Sequence, residues 1–206
     1  MVRVVEFLRT RKGARRALSV LSILLLLGGL AALGYPFYTN LYQDRVQSRL
    51  NRELASPELE QKYREGRLEE GDSLTRIKIP KLDVDVVVVE GTSASALRAG
   101  AGHYPQTPLP CEVGNVSIAG HRTTYGKPFA NLDQLAPGDT IILETPIGAC
   151  TYHVSAKPSI TAPTDFSVIA ATAEPTLTLT TCHPKHSARQ RLIVKAAMVK
   201  ASTAPA

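Results

Sequence analysis

The distribution of apolar and polar positions divides the chain into three stretches with different predicted structures. Residues 17–38 form one long apolar run without a charged side chain. As a helix rising about 1.5 Å per residue, the run would extend roughly 33 Å, the thickness of a bilayer core. A cleaved signal peptide has a shorter apolar region of ~7–15 residues, and a buried core helix is seldom apolar on every face. We therefore predict a transmembrane signal anchor over residues 17–38, with a cleaved signal as the alternative.

Residues 39–72 are dense in charge and poor in large apolar side chains. Val46, Leu50 and Leu54 recur at helical spacing, which predicts a partly helical segment. We interpret this segment as a solvated extracytoplasmic stalk whose role is spacing.

From Ser73 onward, short β-branched runs alternate with Gly, Pro and Asp. The runs are LTRIKIP, DVDVVVVEG, NVSIAGH, DTIILET, CTYHVSA, FSVIA, TLTLTTC and QRLIVKAAMV. Many short strands with turn residues between them are typical of an all-β barrel or sandwich. SASALRAG and FANLDQL are predicted to be brief helices. We place the folded domain at residues 73–200 and expect the tail, residues 201–206, to be disordered.

The net charge of +6 is concentrated at one end of the chain. Residues 1–16 hold six basic side chains and one acidic side chain, a net charge of +5, so the remainder carries only +1. A nearly neutral domain has no basic face for nucleic acid, which argues against a nucleic-acid partner. Basic residues before an apolar span stay in the cytoplasm. This predicts a cytoplasmic tail over residues 1–16 and a domain outside the cell membrane.

The chain contains three cysteines, of which Cys182 stands in the most distinctive setting. Cys182 ends the alternating run TLTLTTC and precedes a polar turn. An exported domain meets an oxidising environment in which disulfides form. If Cys182 is the reactive thiol, Cys111 and Cys150 are the natural disulfide pair; two buried free thiols are the alternative.

A thiol becomes a nucleophile where a base or a cation favours the thiolate. The candidate bases are His103, His121, His153, His183 and His186. His121 follows the strand NVSIAG, so a strand-end histidine can lie beside the strand-end Cys182. His183 is poorly placed, because adjacent side chains on a strand point to opposite faces.

A zinc site built from Cys182, His183 and His186 is the competing interpretation of these residues. The C-H-x-x-H spacing lacks a usual partner such as C-x-x-C, and Pro184 interrupts the turn. We therefore predict no metal and no cofactor.

Several motifs resemble the sortase family. TLTTC, with Arg191 nine positions beyond the cysteine in RLIV, resembles the sortase active-site signature. NVSIAGHR resembles the segment that holds the sortase histidine, and IKIPKLDVDVVVVEGT and GAGHYPQTPLP are also similar to sortase sequence. The resemblance covers about residues 74–199. It implies an eight-stranded β-barrel and a membrane-anchored cysteine transpeptidase that joins surface proteins to the cell wall of a Gram-positive bacterium.

The resemblance also implies a role for individual residues. Cys182 is then the nucleophile, His121 the acid and base, and Arg191 the group that stabilises the oxyanion or the substrate carbonyl. Arg189 is the alternative arginine, because residues two apart on a strand share a face. Tyr104 and Thr181 are candidate substrate contacts, with loop packing and strand pairing as their structural alternatives.

HRTTYGKPF and CHPKHSARQR resemble class E sortases of actinobacteria, housekeeping enzymes that often prefer an LAxTG signal over LPxTG. The implied partners are secreted proteins that carry such a signal, the amine of a lipid-linked peptidoglycan precursor, and the membrane. A class C enzyme that polymerises pilins is an alternative, although the chain has no Trp and residues 55–72 are polar. A membrane-tethered cysteine protease and an inactive binding module are further alternatives.

Overall fold

The computed structural model describes residues 12–203. Most of the predicted cytoplasmic tail (1–11) and the last residues of the C-terminal tail (204–206) therefore lie outside the described residues. The chain divides into two compact units, Met1–Leu41 and Tyr42–Ala206. The helices are α1 (Lys12–Leu54), α2 (Pro57–Arg64) and α3 (Ala94–Ala99), with short 3-10 helices at Pro80–Leu82, Leu132–Gln134 and Phe166–Ile169.

The described part of the first unit belongs to α1. Its stretch Arg15–Tyr35 has a mean hydropathy of 2.3 over 21 residues, and its large apolar side chains are exposed. A helix of this length and composition can cross a membrane. The finding is compatible with a membrane anchor and with a signal sequence.

The second unit contains a closed β-barrel. Its strands are β1 (Ser73–Ile79), β2 (Val84–Glu90), β3 (Ala101–His103), β4 (Asn115–Ala119), β5 (Thr140–Thr145), β6 (Gly148–Val154), β7 (Ser159–Thr161), β8 (Thr176–His183) and β9 (Gln190–Thr203). Eight strands pair in the order β6-β5-β1-β2-β3-β4-β8-β9, and a β6–β9 ladder closes the ring. The ninth strand, β7, pairs with the N-terminal part of β9. The expected eight-stranded barrel with short helices is confirmed.

Most neighbouring strands are antiparallel, but β2–β3 and β4–β8 are parallel pairs. The parallel β4–β8 pair brings together the carboxyl ends of two strands that are distant in sequence. These two strands are the ones predicted to end near His121 and Cys182. Alternate residues of both strands fill the barrel interior: Val116, Ile118, Leu177 and Leu179.

The segment predicted to be a solvated stalk packs against the barrel instead. Leu50 is fully buried in a cluster with Val87, Val89 and Ala96. Gln47 supports this contact, because its Oε1 accepts a hydrogen bond from Val87 N at 2.7 Å. Asp44, Arg45, Arg49 and Arg52 of this segment are exposed to water, while one apolar and amide face covers β2 and α3. From Tyr42 onward the segment is therefore part of the folded unit and not a spacer.

Three local predictions also differ from the structure. The run FSVIA, expected to be a strand, contains the 3-10 helix Phe166–Ile169, which Asp165 caps by accepting from Ser167 N at 3.1 Å. The short strands β3 and β7 were not predicted. The first residues of the tail expected to be disordered belong to β9, which pairs with β6 as far as Thr203.

Candidate active site

The candidate site lies on the outer face of the barrel, where β4, β8 and β9 end or begin. Because alternate residues of β4 and β8 fill the interior, Ala119, Thr180 and Cys182 face outward. The parallel register pairs Ala119 with Thr180. The last contact of this ladder is the hydrogen bond of 3.0 Å from Gly120 N to Thr180 O, and His121 follows directly after it. In the antiparallel β8–β9 ladder, Cys182 lies directly opposite Arg191. Cys182 and Arg191 are thus paired on neighbouring strands, and His121 lies just past the end of β4, the strand on the other side of β8.

Arg191 brings its guanidinium to the thiol, whereas Arg189 does not. Arg191 Nη1 lies 3.8 Å from Cys182 Sγ. The same nitrogen donates to the carbonyl oxygens of Ala188 and Gln190, each at 3.2 Å, which fixes its direction. Arg189 is exposed in the turn before β9. The strand register therefore favours Arg191 as the cation of the site.

The ring of His121 is half-buried beside an aromatic neighbour. Its centroid lies 5.2 Å from that of Tyr125, with the planes tilted by 41°. Burial lowers the pKa of His121 below the ordinary histidine value, because desolvation disfavours the charged imidazolium. The neutral imidazole, which can accept a proton, is therefore favoured near neutral pH.

Contacts on either side of His121 hold its backbone in place. Gly120 N donates to Thr180 O at 3.0 Å, and Gly120 O accepts from Thr181 Oγ1 at 2.7 Å. A side chain at position 120 is excluded, since a Cβ there would lie 2.5 Å from the Phe129 ring. Phe129 N donates to His121 O at 3.1 Å.

The two candidate substrate contacts have different surroundings. Tyr104 Oη shares a hydrogen bond of 3.1 Å with Thr180 Oγ1, so its phenol lies over the face of β8 that carries Cys182. Thr181 is buried, and its hydroxyl donates a hydrogen bond to the Gly120 carbonyl oxygen. Thr181 lies on the face of β8 opposite Cys182, which favours the strand-pairing alternative over a substrate contact.

The cysteines are arranged as one disulfide and one free thiol. Cys111, in the loop after β3, is bonded to Cys150 in β6. Cys150 is buried in the barrel core, so the bond ties the loop that follows Tyr104 to the barrel wall. Cys182 is free and half-buried.

Two of the residues considered for a zinc site, Cys182 and His183, have arginine partners. His183 Nδ1 lies 2.8 Å from Arg122 Nη1 and accepts its hydrogen bond, because a guanidinium cannot accept. A cation therefore occupies the direction in which this nitrogen would bind a metal. Within residues 12–203, no group of three His, Cys, Asp or Glu side chains is arranged to hold a metal ion.

Two buried polar residues near the site were missed from sequence. Arg122 was quoted only as part of a motif, yet it is 5% exposed and contacts the residues around the cysteine. His103, named from sequence only as a candidate base, ends β3 fully buried, with Nδ1 2.8 Å from Glu90 Oε2 and Nε2 2.9 Å from Pro108 O.

Comparison with known proteins agrees with this fold. The sequence model of the sortase domain matches residues 77–199. Sortase SrtE1 of Streptomyces coelicolor is 35% identical over 150 residues, which cover 66% of this chain and 43% of that protein. Sortase D of Bacillus subtilis is 36% identical over 117 residues, 56% of this chain and 57% of its own length. The chain thus spans about half the length of these two relatives.

Solved structures of sortases have the same architecture. A Clostridium perfringens Sortase D5 transpeptidase matches with a TM-score of 0.67 and 31% identity, covering 77% of this chain and 98% of that chain. Sortase E1 of Streptomyces coelicolor, solved with a tripeptide in the active site, matches with a TM-score of 0.58 and 32% identity, covering 64% and 90%. Sortase E of Streptomyces avermitilis matches with a TM-score of 0.61 and 34% identity, covering 66% and 93%.

The fold and the site define a β-barrel protein with a paired cysteine and arginine on its outer face and a histidine just past the end of the adjacent strand. Since the family model covers more than half of the sequence, the chain belongs to the sortase family. Class E sortases are among its relatives both by sequence and by structure.

Proposed function

We propose that this chain is a membrane-anchored cysteine transpeptidase that cleaves an LAxTG- or LPxTG-type sorting signal between Thr and Gly. It then transfers the new carbonyl end to the amine of a cell-wall precursor. The observation that carries the proposal is the Cys182–Arg191 pair on β8 and β9, with the Arg191 guanidinium 3.8 Å from Sγ and His121 just past the end of the adjacent strand β4. The tripeptide in the active site of the Streptomyces coelicolor relative supports a peptide substrate.

The first half of the reaction forms a thioacyl enzyme. The Cys182 thiolate attacks the Thr carbonyl carbon, and a C–S bond forms as the carbonyl oxygen becomes an oxyanion. Arg191 stabilises this charge, because its guanidinium stays protonated and offers several donors close to the sulfur. The C–N bond to Gly then breaks, and the His121 imidazolium gives its proton to the leaving amine.

The second half of the reaction reverses the proton transfer. The acceptor amine attacks the thioester carbonyl, and neutral His121 takes the proton from the amine nitrogen. The C–S bond breaks, the new amide leaves, and the thiolate and imidazolium are restored. Burial of His121 suits this half, because it favours the neutral base at physiological pH.

The apolar helix of residues 15–35 supports the membrane part of the proposal. A lipid-linked amine and a secreted protein with an apolar signal both reach the outer surface of the membrane. A tethered enzyme meets both substrates there, which raises their effective concentration.

The test uses the full chain in detergent with LAxTG and LPxTG peptides, each with and without an added amine. We expect cleavage between Thr and Gly, an amide product when the amine is present, and a covalent adduct on Cys182. The Cys182→Ala chain is the control and should give neither product nor adduct. Mass spectrometry of the products distinguishes the alternatives: only free acid, whatever the amine concentration, would indicate a protease. No cleavage by the folded wild type would exclude the proposal.

A further inference from the structure

Arg122 is the buried cation next to the candidate site, and its guanidinium joins two segments that carry catalytic groups. Its Nη1 lies 3.4 Å from Cys182 O and 2.8 Å from His183 Nδ1. Its Nη2 lies 3.0 Å from Asp133 Oδ1, and its Nε lies 3.4 Å from Ala130 O. The first two acceptors belong to the end of β8, and the last two belong to the loop that follows His121.

These contacts match what a buried arginine requires. An unpaired buried charge is costly, whereas a planar guanidinium can satisfy several acceptors in fixed directions at once. Asp133 balances the charge, and its carboxylate is 47% exposed. Two carbonyls and one imidazole nitrogen take up the remaining directions, so the Arg122 side chain has little freedom to move.

The position of Arg122 matters because His121 lies beyond the end of β4. The backbone from Tyr125 to Lys127 has positive φ angles at all three residues, so it is a turn and not a continuation of the strand. Hydrogen bonds at Gly120 hold the chain before His121. Past both catalytic residues, the buried Arg122 joins the His121 loop to the end of the Cys182 strand, and an exposed hydrogen bond of 3.1 Å from Lys185 Nζ to Asn131 Oδ1 joins the same loop to the turn after that strand.

We infer that Arg122 is a positioning residue, which keeps the His121 imidazole and the Cys182 thiol at a working separation by joining the two chain segments that follow them. This inference rests on the proposed function of the same site. Arg122 does not contact the thiol or the substrate in this role. It therefore affects the rate of the chemical steps more than the binding of the peptide, since a displacement of about 1 Å from reacting geometry is costly.

The experiment measures kcat and KM separately for the full chain in detergent, with the peptide that the wild type cleaves. Arg122→Gln removes the charge and the planar fork, and Arg122→Lys keeps the charge alone. Arg64→Gln is the matched control, because it breaks an exposed arginine–carboxylate pair, Arg64–Glu60 at 2.7 Å, on α2. Thermal unfolding establishes that each chain is folded at the assay temperature.

We expect Arg122→Gln to lower kcat roughly 10- to 100-fold with KM within about twofold of wild type. The kcat of Arg122→Lys should lie between those of Arg122→Gln and wild type, since an ammonium group cannot form all the hydrogen bonds of the planar guanidinium. The kcat of Arg64→Gln should match that of wild type. If neither Arg122 variant folds, the His183→Leu variant is measured instead. It removes the Nδ1 acceptor of Arg122 and should lower kcat several-fold, which is the effect expected from the loss of one charge-assisted hydrogen bond.

Three outcomes would overturn the inference. In the first, folded Arg122→Gln has the kcat of wild type. In the second, its KM rises while kcat is unchanged, which would make Arg122 a substrate-binding residue. In the third, His183→Leu retains full kcat when the Arg122 variants do not fold. In each case an active wild type leaves the proposed function intact. A wild type that cleaves no peptide rejects the proposed function and this inference together.

Discussion

At the scale of single residues, Arg191 in β9 can be compared with Arg189, which lies two residues earlier in the preceding turn. Arg191 is half-buried against Cys182 Sγ, and Arg189 is exposed. Arg191→Ala should lower kcat/KM by an amount that corresponds to roughly 3–4 kcal/mol of activation free energy, because an oxyanion donor is lost. Arg189→Ala removes the same charge two residues away. Its activation free energy, derived from kcat/KM, should stay within about 0.5 kcal/mol of the wild-type value. Peptide-cleavage kinetics compare the two; a severe Arg189→Ala beside a mild Arg191→Ala would contradict the assignment.

The environment of His121 predicts the pH dependence of the transfer step. Neutral His121 is the base there, so the rate falls as pH drops through its pKa. Because burial lowers that pKa, the acid limb should lie below the ordinary histidine value of about 6.5. The measurement is the transfer rate of the preformed thioacyl enzyme to hydroxylamine, a weakly basic amine, across pH.

Two variants test the cause of this shift. Tyr125→Ala admits water to the His121 ring and should move the acid limb upward. Arg98→Gln removes the guanidinium that lies 5.9 Å from the Tyr125 ring centre and should leave the limb in place, since burial is the cause. A wild-type limb above the ordinary value, or a limb that moves only in Arg98→Gln, would refute the argument.

Tyr104 is the residue on which signal preference is expected to depend. Its phenol lies over the outer face of β8, hydrogen-bonded to Thr180 Oγ1. Ala at the second signal position has a backbone N–H, which Pro lacks, and a phenol oxygen can accept from it directly or through water. Tyr104→Phe should reduce the preference for LAxTG by up to ~1 kcal/mol while the LPxTG rate changes little.

A competition between LAxTG and LPxTG peptides measures this preference as one ratio. Tyr63→Phe is the control, because it removes a buried phenol that bonds to Pro110 O. An unchanged ratio in Tyr104→Phe would exclude Tyr104 from specificity. A wild-type preference for Pro would contradict the class E expectation.

At the scale of elements, sequence predicted what depends on local pattern and missed what depends on distant partners. The β8 alternation and its terminal cysteine are local, and strand-end placement was enough to select His121 beside it. The burial of Arg122 depends on His183, 61 residues further along, so it could not be predicted from its neighbours. The docking of α1 was missed for the same reason: Gln47 bonds to Val87, 40 residues away.

The docked part of α1 should contribute to the stability of the barrel. Leu50 is fully buried in its cluster, so Leu50→Ala should lower the free energy of unfolding of the barrel by roughly 2–5 kcal/mol. Arg49→Ala changes the adjacent exposed residue and should stay within about 0.5 kcal/mol of wild type. Urea unfolding of the full chain in detergent, followed by tyrosine fluorescence, measures both. Equal midpoints for the two variants would mean that this helix segment contributes no stability to the barrel.

At the scale of the whole molecule, one chain combines an apolar helix with a domain whose disulfide suits an oxidising compartment. Cys111–Cys150 is compatible with export, since disulfides persist outside the cytoplasm. The basic cluster before the apolar helix favours an inside position for the N-terminus. Together these features support the proposal of a single-pass anchor with the barrel outside.

The anchor leads to a prediction about intact cells. Alkaline carbonate extraction should leave the chain in the membrane fraction, because about 20 apolar residues span the bilayer core. Protease added to wall-stripped cells should digest the barrel and spare a tag fused before residue 1. Leu24→Lys with Leu27→Lys adds roughly 2.5–3.5 kcal/mol of insertion cost for each lysine and should release the chain into the extract. Recovery of a soluble wild-type protein that starts near residue 35–40 would instead show a cleaved signal, and the barrel would then act without a tether.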